Sequence, residues 1–145
     1  MPLPVDKGTV AAVSVAIVRE GRVLLVRRGR EPARGVYAFP GGRVEPEETL
    51  EQAARRELLE ETSLAAGRLA PYRTVHIEAA AAVGTPAFEL TVFAGDSAEG
   101  VLHAGDDADH AGWFSADEMD AMPVIDSVVD IARELLALQS GSPAG

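Results

Sequence analysis

Three glutamates crowd the end of one predicted helix: Glu57, Glu60 and Glu61 in "RELLEET". At about 100° per residue, Glu61 lies near 40° and Glu60 near 300° from Glu57, so the three carboxylates share an arc of roughly 100°. Glu57 and Glu61 form a like-charged i,i+4 pair, which costs an isolated helix roughly 0.2–0.5 kcal/mol. Negative charge in a last turn also opposes the helix dipole, by about 0.3–1 kcal/mol. Arg56 can pair with Glu60, and Arg55 with Glu51, but no lysine or arginine stands four residues from Glu57 or Glu61. Two readings follow from the residues. One is a solvated acidic face. The other is a bound divalent cation that removes the conflict. Carboxylate oxygens with no sulfur favour Mg²⁺, with Mn²⁺ possible.

The surrounding spacing bears on the choice. Gly42 is followed after five residues by Glu48, and seven more lead to Arg56, Glu57, Leu58, Glu60, Glu61 and Leu64. This resembles the signature of the Nudix hydrolases, G-x5-E-x7-R-E-U-x-E-E-x-G-U, where U is aliphatic. Ser63 departs from it, standing where the family usually has glycine. A left-handed residue there would cost serine on the order of 1 kcal/mol. Either Ser63 accepts that strain or the helix runs on and stops at Gly67.

The resemblance implies hydrolysis of a nucleoside diphosphate linked to another moiety, an ADP-ribose-like sugar being favoured. A (deoxy)nucleoside triphosphate pyrophosphatase is the alternative, and a non-catalytic nucleotide-sensing module a further one. It implies Glu57, Glu60 and Glu61 as metal ligands, with the Gly41 carbonyl beside them. Glu48 would support the cluster, and Arg56 would clamp Glu48 or a neighbouring carboxylate. Asp106, Asp107 and Glu89 are the candidate general bases. Arg27, Arg28 and Arg43 are candidate phosphate contacts. Tyr37, Phe39, Phe88 and Trp113 could stack on a base or simply fill the core.

These side chains need a scaffold. Valine-rich Val10–Val18 reads as a buried strand, "REGR" as a hairpin turn, and Val23–Arg28 as the returning strand. "GREPARGVYAFPGG" reads as a loop with a short extended piece at Tyr37–Phe39. Thr49-x-x-Gln52 has capping-box form, and Leu50, Ala53, Ala54 and Leu58 recur at helical spacing, predicting a helix over Leu50–Thr62. Strands are expected at Pro71–Glu78, Phe88–Gly95 and Trp113–Ser115, with a capped turn at "SADEM" and an amphipathic helix over Val124–Gln139. The expected class is α/β, a Nudix-type α/β/α sandwich with a central mixed sheet. One domain over 1–145 is expected, with 1–9 and 140–145 flexible.

Composition bounds the rest. At 145 residues the chain can bury one core. It has no cysteine, which excludes disulfides and thiolate metal sites and suits a cytoplasmic setting. Val10–Val18 is too short to span a bilayer, so no membrane association is expected. A net charge of −10 argues against nucleic-acid binding. Yet seven of the 13 basic residues are arginines between Arg19 and Arg43, a local patch that could hold a small polyanion such as a nucleotide. Leu59 lies near 200° on the helix wheel and could pack on the fold or on a second subunit. The resemblance makes a homodimer a mild expectation.

Overall fold

The computed structural model describes residues 9–31, 33–80, 82, 84–105 and 107–140. The chain runs β1 (Thr9–Arg19), β2 (Arg22–Arg28), β3 (Tyr37–Ala38), β4 (Gly41–Arg43), α1 (Leu50–Thr62), β5 (Ala65–Ala66), β6 (Ala70–Ile77), β7 (Ala87–Gly95), β8 (Ala98–Glu99), β9 (Ala108–Phe114), α2 (Ala116–Asp120) and α3 (Asp126–Ser140).

β1 organises the molecule. Its valines and isoleucine suit a pleated, buried surface, and successive side chains turn to opposite faces. Val13, Val15 and Ile17 pack with Ala53, Ala54 and Leu58 of α1. Ala16 and Val18 pack on the other face with Val128, Ile131 and Ala132 of α3 and Met119 of α2. The sheet is therefore covered on both sides, giving the expected sandwich.

The sheet is mixed. β1 runs parallel to β7 from Thr9–Ala87 to Ile17–Gly95, and β7 is antiparallel to β6. β4 adds antiparallel to β1, placing Gly41 opposite Ser14 and Gly42 opposite Val13. Beyond Arg19 the chain turns through Glu20 and Gly21, both at positive φ (53° and 77°), as a two-residue hairpin requires. The returning β2 is antiparallel to both β3 and β9. β5 and β8 form a separate small ribbon.

Several elements differ from the sequence-based expectation, among them β5 and β8, where no strand was expected. β4 was read as loop, and β9 begins at Ala108 rather than Trp113. α3 starts at Asp126, because Tyr37 takes Pro123 and Ile125 into backbone hydrogen bonds just before it. Thr9 and Ser140, expected in flexible ends, belong to β1 and α3; residues 1–8 and 141–145 lie outside the described residues. Leu59 is 54% exposed and does not pack on the fold. Among the described residues, no helix is long and apolar enough to cross a membrane.

Candidate active site

The helix that carries the acids is fixed at both ends. At its start the Thr49 hydroxyl accepts from the Gln52 N–H at 3.0 Å, and the Thr49 N–H donates to Gln52 Oε1 at 2.8 Å, completing the capping box. At its end Ser63 adopts the left-handed conformation (φ 66°, ψ 14°) and donates its N–H to the Leu59 carbonyl. The helix does not run on to Gly67; the serine accepts the strain. The last carbonyls are satisfied from outside, with the His103 N–H donating to Thr62 at 2.9 Å and the Gly105 N–H to Glu61 at 3.1 Å. That contact leads the chain on to Asp107. Burial of Ala53, Ala54 and Leu58 sets the helix's rotation and turns Arg56, Glu57, Glu60 and Glu61 toward a cleft.

Arg56 is the hub. Its Nε and Nη2 donate to Glu48 at 2.6 and 2.9 Å. Nη1 donates to Glu57 and to Glu60, both at 3.0 Å, and Nη2 also to the Arg43 carbonyl at 3.0 Å. A guanidinium has five N–H donors, and here each has a partner. The Arg56 hydrogen bonds, with the Glu45 N–H, hold the Glu48 carboxyl down at about 2. The carboxylates in turn raise the Arg56 pKa, Glu48 first and Glu57 next, against the opposing effect of burial.

Glu61 behaves in the opposite way. It is only 9% exposed. Burial first, then the hydrogen bond and charge of Glu57, push its carboxyl up to about 9; Asp107 adds to the rise and the Gly41 N–H opposes it. Glu57 and Glu61 thus meet across one turn, and the Glu57 charge works against ionisation of the buried Glu61.

Gly42 makes room for the Glu57 carboxylate, and Gly41 lets β4 lie close against β1. A Cβ on Gly42 would lie 2.3 Å from Glu57 Oε2, and one on Gly41 would lie 2.2 Å from the Val13 carbonyl. Glu57 and Glu61 bring carboxylate oxygens together beside Gly41, whose N–H faces Glu61, and that oxygen donor pair suits a hard dication. Glu60 lines the same cleft, and Arg56 Nη1 donates to it at 3.0 Å as it does to Glu57. Among the described residues no three acidic or histidine side chains are already drawn into a cage.

The acids sit at one end of a cleft of about 860 Å³. Arg28, Arg43 and Asp107 line it too. The Arg43 guanidinium lies 5.4 Å from the Phe88 ring centroid. The rest is a mainly apolar arm, lined by strand side chains such as Leu90 and Val92 and by Val128 and Ile131 of α3, with the hydroxyl-bearing Thr85 and Ser127 among them.

Several expected residues are elsewhere. Arg27 pairs with Asp109 at 2.6 Å on an exposed surface outside the cleft, because β9 runs alongside β2. Glu89 is exposed and outside the cleft, since alternation along β7 turns Phe88 and Leu90 into it instead. Asp106 lies outside the described residues. Phe39 and Phe88 line the cleft. Tyr37 is buried, with its hydroxyl on His110 Nδ1 at 3.1 Å, and Trp113 carries the Arg19 guanidinium 4.3 Å above its ring. Sequence reasoning missed the apolar arm and the buried Ser14 beside it. The available signal was one hydroxyl within the apolar run Val10–Val18.

The family model described as the NUDIX domain matches residues 8–138. The chain is 35% identical over 111 residues to an ADP-ribose pyrophosphatase of Methanocaldococcus jannaschii, covering 74% of this chain and 63% of the relative. It is 36% identical over 106 residues to an oxidized purine nucleoside triphosphate hydrolase of Danio rerio, covering 72% and 65%. The chain therefore spans just under two thirds of the length of these two relatives. It is similar along nearly its whole length to the CTP pyrophosphohydrolase of Escherichia coli, at 28% identity over 93% of this chain and 97% of that one. The crystal structure of a MutT NUDIX hydrolase from Burkholderia pseudomallei superposes with a TM-score of 0.77 at 30% identity, covering 87% and 96%.

Proposed function

The chain belongs to the Nudix family, and on that footing we propose that it hydrolyses the pyrophosphate of a nucleoside diphosphate joined to another moiety, an ADP-ribose-like sugar being favoured. The observation that carries this reading is the Glu57–Glu61 pair at the acid end of a cleft whose other end is apolar. One end suits a phosphate-bound cation and the other an apolar-faced group.

Glu57, Glu61 and the Gly41 backbone would hold Mg²⁺, or Mn²⁺, with Glu60 close by. Such a cation neutralises phosphate charge and makes water a better nucleophile. The chain's own groups do the rest. Arg56 keeps Glu48, Glu57 and Glu60 in place and stays charged. Arg28 and Arg43 bind the diphosphate from the cleft wall. Asp107 is the favoured base for the attacking water, since it lines the cleft and acts electrostatically on Glu61. Water adds to one phosphorus, the bridging P–O bond breaks, and the bridging oxygen leaves with the departing phosphate. A cytoplasmic homodimer, with exposed Leu59 as one contact, belongs to the same proposal.

The second reading is a nucleoside triphosphate pyrophosphohydrolase. It is favoured by the match to the CTP pyrophosphohydrolase, which covers both chains almost entirely. A panel of nucleotide sugars, dinucleotides and triphosphates with Mg²⁺, read by product, tests both. AMP and ribose 5-phosphate from ADP-ribose support the first reading; pyrophosphate from a triphosphate supports the second. Tight binding with no turnover of any substrate would favour a sensing module.

A further inference from the structure

Arg27 stands outside the cleft, yet its partner Asp109 is two residues from Asp107, which lines it. Side chains alternate along β2, so Arg28 lines the cleft while Arg27 turns away from it. The pairing of β2 with β9 is irregular at this point. Arg27 faces His110, but Arg28 faces Ala108. Asp109 is thus left over as the extra residue of a bulge. A bulge bends its strand and re-aims the side chains around it.

The extra residue is gripped from the opposite strand: Arg27 Nε donates to Asp109 Oδ1 at 2.6 Å. Two further links join the same segments beyond the bulge. The Gly29 N–H donates to the Asp107 carbonyl at 2.7 Å, and Arg30 Nε lies 2.9 Å from Asp107 Oδ1. Glycine permits that approach, since a Cβ on Gly29 would sit 2.9 Å from the Asp107 carbonyl oxygen. The Arg30 and Asp107 side chains are 75% and 63% exposed, so their pair holds weakly. Arg27 and Asp109 are better covered, at 41% and 49%.

Regular pairing is the alternative to the bulge. Asp109 would then stand opposite Arg28, and Asp107 would be drawn one position along the strand. Resting on the reading of Asp107 as the base, we propose that Arg27 is a positioning residue. By gripping Asp109 it selects the bulged register, and that register sets Asp107 in the cleft. Arg27 touches neither substrate nor metal in this role.

The test is a cycle of Arg27→Met and Asp107→Asn in the full chain, with Asp109→Asn as a second way to break the pair. With Mg²⁺ and ADP-ribose, or CTP if only the triphosphate is turned over, Arg27→Met and Asp109→Asn should each lower kcat by about 3–10-fold. KM and half-saturation by Mg²⁺ should not change. Asp107→Asn should lower kcat by about 100-fold, and Arg27→Met should cost nothing further in that background. The reversed pair, Arg27→Asp with Asp109→Arg, should recover most of kcat. In ligand-free protein, exchange of the Gly29 amide should quicken by about 2–5-fold in both single variants, more than that of Leu58 in α1. Unchanged kcat and unchanged Gly29 exchange in Arg27→Met would overturn the proposal. So would an equal loss of kcat with and without Asp107. Faster Gly29 exchange with kcat indifferent to Asp107→Asn would overturn the reading of Asp107 as the base, and with it the part of Arg27 in the reaction. Wild type that turns over neither substrate, while Gly29 exchange responds as expected, would overturn the hydrolase reading and leave the register lock standing.

Discussion

Arg56 and Glu48 meet as two forks: guanidinium Nε and Nη2 face the two carboxylate oxygens at 2.6 and 2.9 Å. The same guanidinium holds Glu57, Glu60 and the Arg43 carbonyl. Lysine has three donors on a point charge and cannot reproduce that fork. Arg56→Lys is expected to lower kcat by roughly 10–100-fold, as losses of supporting groups around metal ligands do. Steady-state kinetics over a Mg²⁺ titration will show this, with most of the change in kcat and in apparent metal affinity.

The adjacent glycines predict opposite phenotypes. At Gly42 an added Cβ would strike the Glu57 carboxylate, the end of a flexible side chain, at 2.3 Å. At Gly41 it would strike the Val13 carbonyl, main chain of the central strand, at 2.2 Å. Gly42→Ala should therefore keep its Tm within a few degrees and lose most activity. Gly41→Ala should lose soluble folded protein. Paired melts and assays separate the two.

Stability should depend on pH through two opposed carboxyls. Glu61 sits near 9 in the fold, above its ordinary value of 4.5, so the folded chain binds the extra proton between those values. Its contribution is full below about pH 4.5 and is lost as the pH rises toward 9. Glu48, held near 2, contributes fully above about 4.5 and loses that contribution as the pH falls toward 2. In EDTA the Tm should peak in the acidic range near pH 5 and decline toward pH 9. Glu61→Gln should flatten the alkaline decline.

In the proposed site Glu57 and Glu61 would hold Mg²⁺, and the raised Glu61 carboxyl would have to give up its proton to do so. The stabilising effect of Mg²⁺ should then grow with pH, because binding releases that proton. Saturating Mg²⁺ should raise Tm more at pH 8.5 than at pH 6. Glu57→Gln should remove that difference and lower kcat by at least about 100-fold, a loss of roughly 2.7 kcal/mol in barrier lowering. An unchanged Mg²⁺ shift in this variant would place the cation elsewhere.

Ser63 offers a stabilising change. Its left-handed backbone (φ 66°) suits glycine, and its hydroxyl makes only a 3.4 Å contact to the His103 carbonyl. Ser63→Gly should relieve more strain than it adds in unfolded-chain entropy, a net gain of roughly 0.5–1 kcal/mol and about 1–4 °C in Tm. Activity should be unchanged, since the acids lie upstream of the cap.

The parts of this fold written in local chemistry could be read from the sequence. Thr49 and Gln52 marked the start of α1, and the spacing of Leu50, Ala53, Ala54 and Leu58 gave its extent as Leu50–Thr62, as observed. The acid cluster followed from the same helix, and the Arg56 clamp from the resemblance to the Nudix signature. What could not be read depends on neighbours. Gly41–Arg43 is too short and glycine-rich to look like a strand, and becomes one only because β1 offers it an edge. The polar start of β9 is likewise held by β2. The Arg27–Asp109 pair outside the cleft likewise forms only across that pairing. The apolar arm draws on β1, β6, β7 and α3 together, and no single segment announces it.

The carbonyls of Glu61 and Thr62 are capped by the segment that leads to Asp107. Anyone lengthening that loop to admit a bulkier substrate would also loosen the final turn bearing the acid pair. In the proposed enzyme, substrate breadth and the order of the acid pair would be mechanically linked, and selection for one would be felt in the other.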